Sequence, residues 1–169
     1  MYIFKCFLLI VIFALSSAIG ITISKIYENR VKELKEFKNI LNIMKTKIKF
    51  TYEPLQEVFK EIAKENSTKI EKIFGKMANQ IHYAQVSEVW TNCIQEADIC
   101  INQEDKDVLK KLGKLLGQTD VEGQVSEIDV TQGFLDVQIE KAEEEKKKNQ
   151  KMYKTLGVVI GLVFVIILI

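Results

Sequence analysis

His82 is the one histidine in a chain of 169 residues, and no second histidine or cysteine stands at metal-ligand spacing from it. Zinc needs several thiolate or imidazole ligands converging on one point, so His82 reads as a surface residue at a helix end. Gly113-Lys114 lacks the G-x-x-x-x-G-K-[ST] frame that wraps backbone N–H groups around a phosphate. No nucleophile elbow and no Cys/His arrangement occurs. The carboxylates are scattered among lysines, as on a solvated helix face. Cys6 falls in an apolar run, and Cys93 and Cys100 occupy apolar positions without metal spacing, so all three read as reduced thiols. Asn66-Ser67-Thr68 has the form of a glycosylation acceptor, which carries no meaning in a cytoplasmic loop. The reading is therefore of a chain that is not an enzyme and takes no cofactor and no metal.

The spacing that carries physical meaning belongs to small residues. Gly157-Val158-Val159-Ile160-Gly161 is G-x-x-x-G inside an apolar helix, a pattern that lets two helix backbones approach closely. Gly113 and Gly117 repeat it in a polar stretch. There Gly117 is expected as a helix C-cap. Gly113, inside a helix, costs about 1 kcal/mol relative to Ala and points to close packing.

These residues sit on two kinds of segment. Lys and Arg number 24 and Asp and Glu 23, and all but Lys5 lie between Lys25 and Lys154. That middle is neutral, so no electrostatic footprint for nucleic acid exists. The mean hydropathy of +0.03 averages it with two greasy ends. Cys6 to Ser24 is an uncharged run about 28 Å long as a helix, close to a bilayer core. A cleaved signal peptide ending near Ser16-Ser17-Ala18 is the alternative, but the apolar run continues through Ile19, Ile21 and Ile23 into a helical pattern. Thr155 to Ile169 gives about 22 Å and reaches a span only with Met152, Tyr153 and snorkelling lysines. Lys25, Arg30, Lys32, Lys35 and Lys38 follow the first segment, and Lys146, Lys147, Lys148, Lys151 and Lys154 precede the second. Against Lys5 alone outside, this bias puts the middle in the cytoplasm. The expected division is 1–25 and 152–169 as transmembrane helices around a bundle over 26–151.

The middle is expected to be helical throughout. Leu34, Phe37, Leu41, Met44 and Ile48 step by three and four, a coiled-coil-like seam. Pro54 opens a helix striped by Leu55, Val58, Phe59 and Ile62. Thr68-Lys69-Ile70-Glu71 has capping-box form. Ser87 starts a short helix, and Asn102 caps another striped by Val108, Leu109, Leu112, Leu115 and Leu116. Val121, Val125, Ile128, Gln132, Leu135, Ile139 and Ala142 form a last seam that runs on into the second apolar segment. The fold class is all-α: a six-helix antiparallel bundle whose first and last helices extend into the two membrane helices.

Leu112-Gly113, Leu116-Gly117, Asp120 and Gln124, followed by Ala142, Asn149, Lys151-Met152, Lys154, Leu156-Gly157 and Gly161, resemble the stage III sporulation protein AB family. Ala18-Ile19-Gly20, Lys25-Ile26-Tyr27 and Tyr52-Glu53-Pro54-Leu55 fit as well, while residues 60 to 105 match in helical character only. The resemblance implies a subunit of the channel complex between mother cell and forespore, in the mother-cell membrane. It also implies a body like the cytoplasmic domain of the type II secretion F-type platform protein. By that analogy the partners are the stage III sporulation ATPase (protein AA), other membrane subunits of the complex, further copies of the chain and membrane lipid. Gly113, Gly117, Asp120, Gln124, Gly157 and Gly161 are the candidate packing and interaction residues. The alternative is a membrane-anchored helical signal transducer, but only the first five residues precede the first span and none follow the second, too little for an outer sensing region.

Overall fold

The computed structural model describes residues 2–168; the side chains of Lys5 and Cys6 lie outside the described residues. Among the described residues six helices follow in order: α1 (Tyr2–Phe50), α2 (Leu55–Ile62), α3 (Lys69–Gln80), α4 (Val86–Glu96), α5 (Gln103–Gly113) and α6 (Val121–Leu168). No strand occurs among the described residues. The chain divides into two compact units, Lys32–Glu140 and the pair Met1–Val31 with Lys141–Ile169.

In the Lys32–Glu140 unit the α1 seam is closed to solvent. Leu34, Phe37, Leu41 and Met44 are fully buried and Ile48 nearly so. On α6, Ile128, Leu135 and Ile139 are buried from the opposite side. Lys38 Nζ reaches Asp136 Oδ1 at 2.5 Å and Lys45 Nζ reaches Asp129 Oδ1 at 2.7 Å. Gln132 Nε2 donates to the Lys38 carbonyl at 3.1 Å. These rungs, with residue number rising on one helix as it falls on the other, set the two seams antiparallel.

The short helices pack in succession, α2 on α3, α3 on α4 and α4 on α5. Their centre is aromatic. Phe74 meets Phe59 edge-on with ring centroids 5.5 Å apart and meets Trp90 edge-on at 5.7 Å. Trp90 Nε1 donates to the Leu109 carbonyl at 2.7 Å, so the buried indole leaves no unpaired donor. Each such side chain contributes about 1.5–3 kcal/mol by leaving water. Helix starts follow the caps: Thr68 Oγ1 accepts from Glu71 N, and Asn102 Oδ1 accepts from Asp105 N, both with the reciprocal carboxylate bond.

Two boundaries differ from the sequence expectation. Helix α4 starts at Val86, one residue before Ser87, with Gln85 as its cap. Helix α5 stops at Gly113. Past it, Lys114 N and Leu115 N bond the carbonyls three residues back, so the backbone tightens before Leu116 is reached. Gly117, at φ +74°, ends that tightened turn rather than capping α5 itself.

In the other unit, residues 2–31 and 141–168 form an antiparallel helix pair. Tyr27 and Tyr153 stack with centroids 5.8 Å apart. Gln150 Nε2 donates to Glu28 Oε2 at 3.1 Å, and Arg30 Nη1 pairs with Glu145 Oε2 at 2.8 Å. Two helices among the described residues are long and apolar enough to cross a membrane, over Phe7–Phe50 and Val121–Ile167. A soluble core helix of that composition is mostly buried, whereas only 17% and 11% of these apolar windows are.

Candidate interaction sites

The glycines of the apolar helices face each other within one chain. A Cβ placed on Gly157 would stand 2.9 Å from the Gly20 Cα and 2.9 Å from the Ser16 carbonyl oxygen. One on Gly20 would stand 2.6 Å from the Tyr153 carbonyl oxygen. Ser16 Oγ donates to the Gly157 carbonyl at 2.7 Å, which fixes the crossing. One turn on, a Cβ at Gly161 would come within 2.9 Å of the Phe13 ring. The G-x-x-x-G face is thus turned towards α1 of its own chain. Serines flank the junction, and the buried Ser24 hydroxyl has no hydrogen-bond partner among the described residues.

Gly113, Gly117, Asp120 and Gln124 come together in the turn between α5 and α6, each with a separate task. The Trp90 ring lies across Gly113, where an added Cβ would sit 2.7 Å from Cγ of the indole. Gly117 supplies the left-handed backbone. Asp120 Oδ1 accepts from Gly123 N at 2.9 Å, an N-cap bond that starts α6. Gln124 straddles the turn: its Oε1 accepts from Gly117 N at 3.2 Å and its Nε2 donates to the Thr119 carbonyl at 3.0 Å. These are residues of shape, and none presents a reactive group.

The same turn meets the α1–α2 turn. A Cβ on Gly117 would lie 3.3 Å from Leu55 Cδ1 and 3.4 Å from Val86 Cγ2. Between the turns opens a cleft of about 460 Å³ lined by Tyr52, Pro54, Gln56, Val86, Gly117 and Gln124. Gln56 bonds His82, so the α3–α4 turn belongs to this end as well. Sequence reasoning missed the exposed aromatic residues in the last turn of α1 and in the α1–α2 and α3–α4 turns, of which Tyr52 lines the cleft. Phe50 is 69% exposed, Tyr52 74% and Tyr83 90%. Tyr52 also takes a left-handed backbone, φ 54°, uncommon for a bulky side chain. The one available signal was phase: Phe50 falls off the α1 seam, and Tyr52 and Tyr83 lie in breaks between helices.

At the opposite turns two carboxylates of α1 hold the loops. Glu33, only 8% exposed, accepts the Cys100 N–H at 2.5 Å. Burial pushes its carboxyl above the usual range, and the Cys100 bond opposes that shift only in part. Glu36 accepts from Thr68 Oγ1 and so ties down the α2–α3 turn. Burial raises the Cys93 thiol, which suits a packing role better than a nucleophilic one. No group of His, Cys, Asp and Glu among the described residues could hold a metal.

The family model described as stage III sporulation protein AB matches residues 5–169. The chain is 25% identical over 153 residues to the stage III sporulation protein AB of Bacillus subtilis (strain 168), covering 88% of this chain and 90% of that protein. A solved structure of a stage III sporulation protein AB superposes with a TM-score of 0.66 at 18% identity, over 71% of this chain and 98% of that one. At that identity the likeness is one of fold.

Proposed function

The chain belongs to the stage III sporulation protein AB family, and from that premise we propose that it is a non-enzymatic platform subunit of the mother cell–forespore channel complex. Its two apolar segments lie in the mother-cell membrane around the forespore, and its bundle faces the mother-cell cytoplasm. There it couples the stage III sporulation ATPase to the membrane subunits of the channel. The observation that carries this reading is the course of α1 and α6. Each is a single helix that begins or ends in an apolar segment and continues as a packed seam of the bundle. Two helices that each serve both roles give the bundle and the apolar segments a covalent connection at both ends of the chain.

The surface offered to the ATPase is the end of the bundle at which α1 stops and α6 starts. Exposed Tyr52 lining a preformed cleft, with exposed Phe50 two residues before it and exposed Tyr83 next to His82, which bonds the cleft residue Gln56, is the composition of a protein-binding centre. Binding over such an area needs no catalytic constellation. The Gly157–Gly161 face supports this chain's own helix pair, so copies of the chain associate through other surfaces.

The test is made in sporulating cells. A photoreactive residue at position 52 or 83 is expected to capture the ATPase, whereas one at position 72 is not. Cysteines introduced at 60, 85 and 105 are expected to react only from the cytoplasmic side. Labelling from the other side would overturn both the orientation and the coupling.

A further inference from the structure

The polar boundary of the helix pair carries a one-sided set of lysines that the platform role does not use. Gln150 Nε2 and Glu28 Oε2 bond across α6 and α1 at 3.1 Å. Lys25 lies three residues before Glu28, and Lys147 and Lys154 lie three before and four after Gln150. Residues at those offsets share a helix face, so all three surround the bond. Lys151 stands between Lys147 and Lys154 on that face. All four side chains are exposed, and none takes part in an ion pair among the described residues. Among these lysines Glu28 accepts from Gln150, and Glu143 and Glu144 stand one turn before Lys147. Glu145 is taken by Arg30, whose own side chain is buried.

We propose that Lys25, Lys147, Lys151 and Lys154 form a binding site for the phosphate of anionic phospholipid headgroups. None of these lysines is held in an ion pair among the described residues, and towards the apolar segments Lys25, Lys151 and Lys154 outnumber the single carboxylate Glu28, an excess of positive charge that favours an external anion. The position of the set selects which one. Lys25 follows Ser24, the last residue of one uncharged run, and Lys154 precedes Thr155, the first of the other. The headgroup layer is about 5–7 Å deep per leaflet, some four residues of helix, and Lys stems extend several ångströms further. Tyr27 and Tyr153 stack at the same level, and paired tyrosines favour the water–lipid boundary. Lysine suits this role as a flexible point charge, whereas the single arginine is held in a buried pair. Polybasic sets next to a membrane helix attract anionic lipid in this way.

The inference rests on the apolar segments lying in a membrane and not on the ATPase. The full-length protein is purified in mild detergent with equal amounts of phosphatidylglycerol and phosphatidylcholine, and retained lipid is counted by native mass spectrometry. On the order of tenfold preference for phosphatidylglycerol is expected, for one or two lysines acting on each headgroup. The quadruple Lys25→Gln, Lys147→Gln, Lys151→Gln, Lys154→Gln variant loses the preference, while Lys60→Gln, Lys64→Gln, Lys72→Gln, Lys76→Gln keeps it. Helicity by circular dichroism and ATPase capture should be unchanged in the first variant, which separates this site from the coupling surface. Equal retention of the two lipids by the wild type would overturn the site. So would an undiminished preference in the first variant. Loss of the preference to millimolar inorganic phosphate would overturn the assignment to lipid.

Discussion

Gly20 on α1 and Gly157 on α6 meet backbone to backbone: a Cβ added to either would stand 2.9 Å from the Cα of the other. Nothing larger than hydrogen fits between the helices at this level. Gly157→Ala therefore forces them apart, and overpacking of this kind costs about 1–3 kcal/mol. Gly161→Ala meets the edge of the Phe13 ring instead, which can rotate away, so it is the milder change. Cysteine crosslinking between positions 19 and 160 in membranes reads the separation. The expected order of crosslinking yield is wild type, then Gly161→Ala, then Gly157→Ala.

Gly113→Ala improves helix propensity by about 1 kcal/mol yet drives a methyl into the Trp90 ring. The overlap is with the buried centre of the bundle, which cannot yield cheaply, and a net loss of about 1–2 kcal/mol is expected. Trp90 is the only tryptophan, so its fluorescence reports this core directly. The variant should unfold at a lower temperature and show a shifted emission maximum before unfolding. A gain in stability would mean that the ring does not rest on Gly113.

Glu33 sets a pH dependence whose sign follows from its raised carboxyl pKa. The folded chain holds that proton more tightly than the unfolded chain does. Stability therefore falls as pH rises from the ordinary glutamate range through the raised folded value, and the charged form remains a burden above it. Glu33→Gln keeps an acceptor for the Cys100 N–H without the charge. It is expected to melt above wild type at neutral pH, with the gap closing on acidification towards about pH 4. A gap that widens on acidification would contradict the assignment.

Ser24 buries a hydroxyl that finds no partner among the described residues. Leaving such a group unmade costs about 1–3 kcal/mol, so Ser24→Ala should hold or raise the melting temperature of the full chain in detergent. Loss of stability would reveal a hydrogen bond at that hydroxyl.

How far the fold was legible depended on whether a signal was local. The α1 seam from Leu34 to Ile48 could be read from its three–four spacing, because one buried stripe imposes one period. The caps at Thr68 and Asn102 could be read because cap and N3 carboxylate lie three residues apart. Membership of the family could be read from motifs that recur through the chain. The partner of the Gly157–Gly161 face could not, since the motif marks a surface and says nothing of what meets it. Nor could the roles of Glu33 and Glu36, because a glutamate that holds a distant loop has the same local pattern as one that faces water. Phe50, Tyr52 and Tyr83 escaped for the converse reason: apolar residues outside a seam have no period, and only the fold shows them exposed, with Tyr52 lining the cleft.

The account turns on whether that end of the bundle receives the ATPase. The most direct measurement is binding of the purified stage III ATPase from the same organism to the full-length chain in nanodiscs, by surface plasmon resonance. Specific binding is expected, weakened at least about tenfold by combined Phe50→Ala, Tyr52→Ala and Tyr83→Ala, a loss of about 1.4 kcal/mol or more. Trp90 fluorescence should be unchanged in that variant, since none of the three side chains belongs to the buried core. No binding by the wild type, or equal binding by the variant, would contradict the account.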